Sequence, residues 1–161
     1  MTDTAGLMHI LQICDSLFPV GAFTLSKGLE EYLHSYISVL PYNELGAAAA
    51  AYNADEKELC RLDEIYSAAK TPFEIRSGSE KVTRRFFKIC NNGQESFTGL
   101  YKSLTEQGIC KGHQCIAYGL YMRDNGIELS EGLAVYGYSI CSAIVTNCVK
   151  LVPLSQLAGQ K

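Results

Sequence analysis

The chain has 161 residues and a mass of 17.7 kDa, enough for one domain with its own core and without need of disulfides or a structural metal. Apolar residues at 47% and charged residues at 19%, with only 4 Pro, exclude general intrinsic disorder. Lys and Arg total 14 against 17 Asp and Glu, and the net charge of -3 excludes a global attraction for nucleic-acid backbones.

Leu7, Ile10, Leu11, Cys14 and Leu17 recur at the spacing of one helix face and predict an amphipathic first helix. Pro19 and Gly21 break it, and the interruption 18–23 (Phe-Pro-Val-Gly-Ala-Phe) is too apolar for an ordinary surface loop, so it is expected to be buried or docked. A second helix is predicted from about Thr24, with Leu25, Leu29, Tyr32, Leu33 and Tyr36 on one face and Pro41 as its stop. Residues 46–51, Gly followed by five Ala, favour helix by propensity but carry no side-chain information about a packing partner.

The next helix runs over Leu59–Lys70 and places Leu59, Leu62, Ile65, Tyr66 and Ala69 together before Thr71-Pro72. Another covers Phe73–Cys90, with Ile75, Val82, Phe86 and Ile89 expected inward and Asn91-Asn92-Gly93 closing it. A weaker helix follows at Phe97–Glu106. Ile116, Leu120 and flanking tyrosines form the next, ended by Asp124-Asn125-Gly126. The longest begins at Ser130, with a seam of Leu133, Gly137, Ile140, Ile144, Cys148 and Leu151 and small residues that admit close neighbours. The expected fold is therefore all-α: a single-domain helical bundle over residues 1–161, with this long helix buried at its centre.

The stretch Gly132–Val149 is free of charge and long enough to test as a membrane span. Its Tyr136, Tyr138, Ser139, Ser142, Thr146 and Asn147, with no flanking Lys or Arg cluster, favour a buried helix instead. The 7 cysteines are odd in number and irregularly spaced, several in apolar runs, as expected of reduced thiols in a cytoplasmic protein. Residues 1–10 lack the pattern of a secretory signal.

No phosphate-binding loop, dinucleotide fingerprint, zinc-protease motif, nucleophile elbow or Cys-x-x-Cys occurs in the sequence. His9, His34 and His113 are far apart, and no acid-base pair stands out, so an enzyme is the least favoured class and no cofactor is expected. Cys110, His113 and Cys115 place three potential metal ligands within six residues. Their spacing matches no standard zinc pattern. The favoured reading makes Cys115 a core thiol and His113 a capping or packing residue at a helix start, and a small Cys/His metal-binding chaperone is the alternative. Lys81, Arg84, Arg85 and Lys88 form a basic helix stripe, read first as a solvated face and second as a dock for an acidic partner.

Two segments resist a purely structural reading. In 17–30 a rigid Pro-Gly turn with Phe18 and Phe23 feeds a helix containing Gly28, which in a helix interior usually marks close backbone contact. In 147–156 Lys150 ends an apolar helix and Pro153 enforces an exit. At these segments the chain resembles the UreF family of urease accessory proteins. That family has a Pro-Val-Gly-Ala-Phe-like turn leading into Ser-x-Gly-Leu-Glu, here Phe18, Pro19, Gly21, Phe23, Ser26, Gly28 and Glu30. It also has a late Val-Pro-Leu-x-Gln followed by Gly-Gln, here Pro153, Leu154, Gln156 and Gln160. Between them, Leu62-Asp63 and the block from Glu74-Ile75-Arg76 through Ser79 to Arg84 look like the family's middle helices, and Gly112-His113 through Gly119 looks like its next helix start, in the same order. Lys27, Gly78 and Thr83 depart from the pattern. Family members run longer, so this chain is expected to be abbreviated within 40–58 and beyond Gly159-Gln160.

The resemblance implies an all-α homodimer without catalysis of its own. Such a protein would bridge a UreD/UreH-type accessory protein and the GTPase UreG, coupling GTP hydrolysis to nickel insertion into apo-urease. The turn residues, Arg84, Lys150 and the late Pro153, Leu154, Gln156 and Gln160 are the expected partner-binding residues, with Lys150 the leading candidate to face UreG. No resident metal site is implied.

Overall fold

A computed structural model describes residues 34–70, 73–90, 93 and 95–151, with the backbone alone at 74–75 and 147–151. The predicted first helix, the 18–23 turn and most of the second helix lie outside the described residues. The chain divides into two compact units: residues 42–133 form one, and residues 34–41 and 134–151 belong to the other. All regular structure among the described residues is helical. Residues 34–39 are helical and pass into a 3-10 turn, Leu40–Tyr42, at Pro41. Then come α1 (Glu44–Asn53), α2 (Glu56–Ala69), α3 (Phe73–Ile89), α4 (Phe97–Glu106), α5 (Gln114–Asp124) and α6 (Leu129–Leu151).

Within 42–133, α5 is the hub, packing against α1, α3 and α4, while α1 also meets α2. Its Cys115, Ile116, Ala117, Gly119, Leu120 and Met122 are all buried, as expected of a helix enclosed on several sides. The alanine run is the middle of α1, and its lack of side-chain bulk is what α5 uses. Ala48 and Ala51 have no exposed surface, and a Cβ added at Gly119 would collide with the Ala48 carbonyl oxygen and lie 2.9 Å from its carbonyl carbon. The two helices therefore approach backbone to backbone. At the far end of α5, the Arg123 guanidinium donates to Ala54 O at 2.8 Å and stacks 3.5 Å from the Phe97 ring. Asp124 accepts from the Phe97 and Thr98 amides at 3.0 and 2.8 Å, so its carboxylate closes the N-terminus of α4 together with the Ser96 cap.

Helix α2 starts three residues before the apolar series, at Glu56, because Asp55 and Glu58 form a reciprocal capping box: Glu58 N donates to Asp55 Oδ1 at 2.8 Å and Asp55 N to Glu58 Oε2 at 3.1 Å. The expected inward faces of α2 and α3 need correction. Ile65 is 55% exposed and Ile89 81%, and Val82 and Ala69 are also exposed, whereas Leu59, Asp63 and Tyr66 of α2 and Thr83 and Phe87 of α3 are buried. Polar side chains occupy the core-facing stripe because each has a partner; the Thr83 hydroxyl, for instance, donates to Ser79 O at 2.9 Å. Phe87 packs edge-on against Tyr101, and Phe86 against Tyr121, joining α3 to α4 and α5.

The long helix expected from Ser130 is α6, 23 residues from Leu129. Its Gly132 and Tyr136 are buried and most of its other described side chains are half-buried. No helix among the described residues is long and apolar enough to cross a membrane.

Candidate functional site

Of the residues expected to bind partners, Phe18, Pro19, Gly21, Phe23, Ser26, Gly28, Glu30, Pro153, Leu154, Gln156 and Gln160 lie outside the described residues. Lys150 falls in the last turn of α6, where the backbone is helical. Arg84 stands on the outer face of α3 with Lys81, Arg85 and Lys88, all four exposed. Among the described residues none of these four on α3 has an ion pair, and the single ion pair joins Lys70 to Glu44 at 4.0 Å.

The middle blocks instead converge on one buried polar cluster that sequence reasoning did not anticipate. Residues 110–113, between α4 and α5, run alongside α2 and meet it at successive levels. Cys110 Sγ donates to Cys60 Sγ at 3.8 Å. One turn on, Asp63 accepts the Lys111 amide on Oδ1 at 2.7 Å and the Gly112 amide on Oδ2 at 3.0 Å. Next, Ser67 Oγ and His113 Nε2 lie 2.7 Å apart. The seven helical steps from residue 60 to residue 67 rise about 10.5 Å, and the three extended steps from residue 110 to residue 113 span at most about 10 Å. The two repeats therefore match. Cys60, Asp63 and Ser67 share a face because they are spaced by three and four.

Tyr101 of α4 completes the cluster. Its hydroxyl donates to Asp63 Oδ2 at 2.5 Å and accepts the His113 amide at 2.8 Å. From α3, Ser79 Oγ lies 3.4 Å from His113 Nδ1, and the Tyr66 ring meets the imidazole edge-on at 5.0 Å. Asp63, Tyr101 and His113 have at most 2% exposed surface. Gly112 adopts φ +87°, a backbone conformation that favours glycine and lets two consecutive amides turn toward one carboxylate.

Burial holds His113 below the ordinary histidine value, outweighing the opposing pull of Asp63, so the ring is neutral near pH 7. Burial, then the Asp63 charge, pushes the Tyr101 phenol far above its usual range. The Cys110 thiol is pushed up to about 12 by burial, Asp63 and Cys60, and Cys115 to about 11 by burial foremost. The cluster thus holds one carboxylate with three donors on its two oxygens, and of its two thiols Cys110 is buried and Cys60 half-buried. Its chemistry is that of a brace joining α2, α3, α4 and α5.

The three candidate metal ligands are dispersed among separate duties. Cys110 bonds to Cys60, both ring nitrogens of His113 face serine hydroxyls, and Cys115 is a core thiol. His113 does stand at the start of α5, in the N-cap position, though its side chain makes no cap bond. No group of three His, Cys, Asp or Glu able to hold a metal occurs among the described residues. The signal that could have revealed the brace was a lone Asp63 flanked by Leu59 and Tyr66 on a helix face, together with a Gly-His pair just before a helix start.

Comparison with known proteins bears on the whole chain. A model of the UreF family matches residues 24–161. The urease accessory protein UreF of Streptococcus thermophilus strain ATCC BAA-491 / LMD-9 is 27% identical over 175 residues, spanning 96% of this chain and 74% of the relative. The UreF proteins of Paenarthrobacter aurescens strain TC1 and Bacillus sp. strain TB-90 are 29% and 30% identical, each over 96% of this chain and over 76% and 78% of their own lengths. The three middle blocks read from the sequence are the same ones that the structure joins through Asp63, Ser79 and His113, and with a match from residue 24 to the last residue, this chain belongs to the UreF family.

Proposed function

We propose that this chain serves urease maturation as a non-catalytic scaffold. In this reading it works as a homodimer in the cytoplasm, bridges a UreD/UreH-type accessory protein and the GTPase UreG, and couples GTP hydrolysis to insertion of nickel, the cargo, into apo-urease. The observation that carries the proposal is the family match over 24–161, with relatives named as urease accessory proteins. The chemistry of the described residues supports a scaffold: the one dense cluster of buried polar groups satisfies itself internally and offers its partners to the fold. The Cys110, His113 and Cys115 arrangement favours no metal-chaperone reading.

Two surfaces are assigned to partners. The turn residues Phe18, Pro19, Gly21 and Phe23, with Ser26, Gly28 and Glu30, contact one accessory protein. Lys150 faces UreG, flanked by Pro153, Leu154, Gln156 and Gln160, and Arg84 lies within the exposed basic face of α3. The test is light scattering coupled to size exclusion on the chain alone and mixed with its cognate UreD/UreH-type and UreG proteins. A dimer that recruits UreG only with the other accessory protein present is expected, and Lys150→Ala should lower GTP-dependent urease activation. A chain that binds neither protein overturns the proposal.

A further inference from the structure

We propose that Cys60 and Cys110 form a reversible thiol–disulfide site, oxidised by a hydroperoxide, that fastens α2 covalently to the segment entering α5. The two sulfurs are already in contact at 3.8 Å with the Cys110 S–H directed at Cys60. Both carry free thiols, Cys60 half-buried and Cys110 buried. Their backbones are fixed independently of the thiols: Cys60 sits in the first half of α2, and Cys110 N donates to Leu104 O at 3.2 Å while the next two amides clamp Asp63. Forming a bond of about 2.05 Å then requires side-chain rotation rather than refolding. No other sulfur-to-sulfur hydrogen bond occurs among the described residues.

The unequal exposure orders the steps. The Cys60 thiolate, reached from solvent and receiving the Cys110 S–H, attacks one peroxide oxygen; the O–O bond breaks, and the departing hydroxide takes a proton to become water. Cys60 is now a sulfenic acid, oxidised by two electrons. Cys110 sulfur, giving up its proton, attacks the Cys60 sulfur; the S–O bond breaks and a second water leaves. Two thiols and one molecule of hydrogen peroxide give one disulfide and two waters; an organic hydroperoxide would give one water and its alcohol. A dithiol reductant reverses the bond. The crosslink encloses residues 61–109 and restricts the unfolded chain, so it raises resistance to urea.

The test treats the full chain with hydrogen peroxide and maps unreduced tryptic peptides. Cleavage after Lys57, Arg61, Lys102 and Lys111 places Cys60 in peptide 58–61 and Cys110 in peptide 103–111. The expected product is these two peptides joined, lighter by two hydrogens, with a higher urea midpoint, both reversed by dithiothreitol. In Cys60→Ser, a half-buried change, Cys110 should remain reduced under the same treatment. Oxidation of Cys90 or Cys141 without the joined peptide overturns the proposal. So does Cys110 oxidation in Cys60→Ser at the wild-type rate, which would remove Cys60 as the point of entry.

Discussion

Helix α5 is attached in two different ways along its length. At its middle, Gly119 lies against the backbone of Ala48, a contact made of shape alone, with no hydrogen bond and no room for one methyl group. At its N-terminal end the chain is held by directional bonds to Asp63, Tyr101, Ser67 and Ser79, beside the edge-on contact of the Tyr66 ring with His113. The first attachment tolerates no added volume; the second tolerates no lost acceptor. A helix fixed by both cannot slide along its axis or rotate about it without violating one of them.

The contrast is broken most severely at the acceptor. Asp63→Ala strands the buried Tyr101 hydroxyl and Gly112 amide and the part-buried Lys111 amide, and each buried unpaired donor costs about 1–3 kcal/mol. The variant should lose at least about 2 kcal/mol in urea unfolding, or fail to fold. Gly119→Ala tests the other attachment. Because the obstacle is main chain, α1 and α5 must move apart, and a loss of about 2–3 kcal/mol is expected, with little change in the pH dependence of stability.

Acidification should separate the two attachments without mutation. The His113 value lies below that of an unfolded histidine, so its contribution to stability is complete above about pH 6.5 and declines as pH falls through the lower folded value. Urea midpoints measured from pH 7.5 down to 5 should fall, and His113→Gln should flatten that slope whereas Gly119→Ala should retain it. The smallest effect is expected away from both attachments. Gly78 on α3 has open space where a Cβ would stand and an ordinary helical φ, so Gly78→Ala should stabilise by about 0.5–1 kcal/mol, read as a higher thermal midpoint.

Helix extents were largely legible from the sequence. Phe97–Glu106 coincides with α4, Phe73–Cys90 ends one residue past α3, and the long helix begins one residue before the expected Ser130. Breakers and apolar periodicity carry that information. The faces were less legible. Ile65, Val82 and Ile89 attracted the inward assignment by hydropathy, yet they are exposed, while Asp63, Thr83 and His113 are buried. Burial of a polar residue depends on a partner 38 or 48 positions away, as Tyr101 and Lys111 are for Asp63, and no local period encodes such a pairing. The contact surface of the alanine run was unreadable for the opposite reason: its specificity is supplied by Gly119 on the helix opposite. The resemblance blocks nevertheless contained Asp63, Ser79 and His113, three members of the brace, before any geometry assembled them.

The match between α2 and residues 110–113 has an evolutionary consequence. The positions along the two tracks differ in what a substitution costs: Ser67 gives up a single bond, whereas Asp63 serves three donors and Gly112 has a backbone conformation that favours glycine. A single inserted or deleted residue between 110 and 113 would displace every later partner by one place, leaving Asp63 and His113 opposite the wrong groups at once. Insertions and deletions in this segment are therefore expected to be rarer across related sequences than single substitutions, and variation in length should accumulate where no such double track constrains the chain.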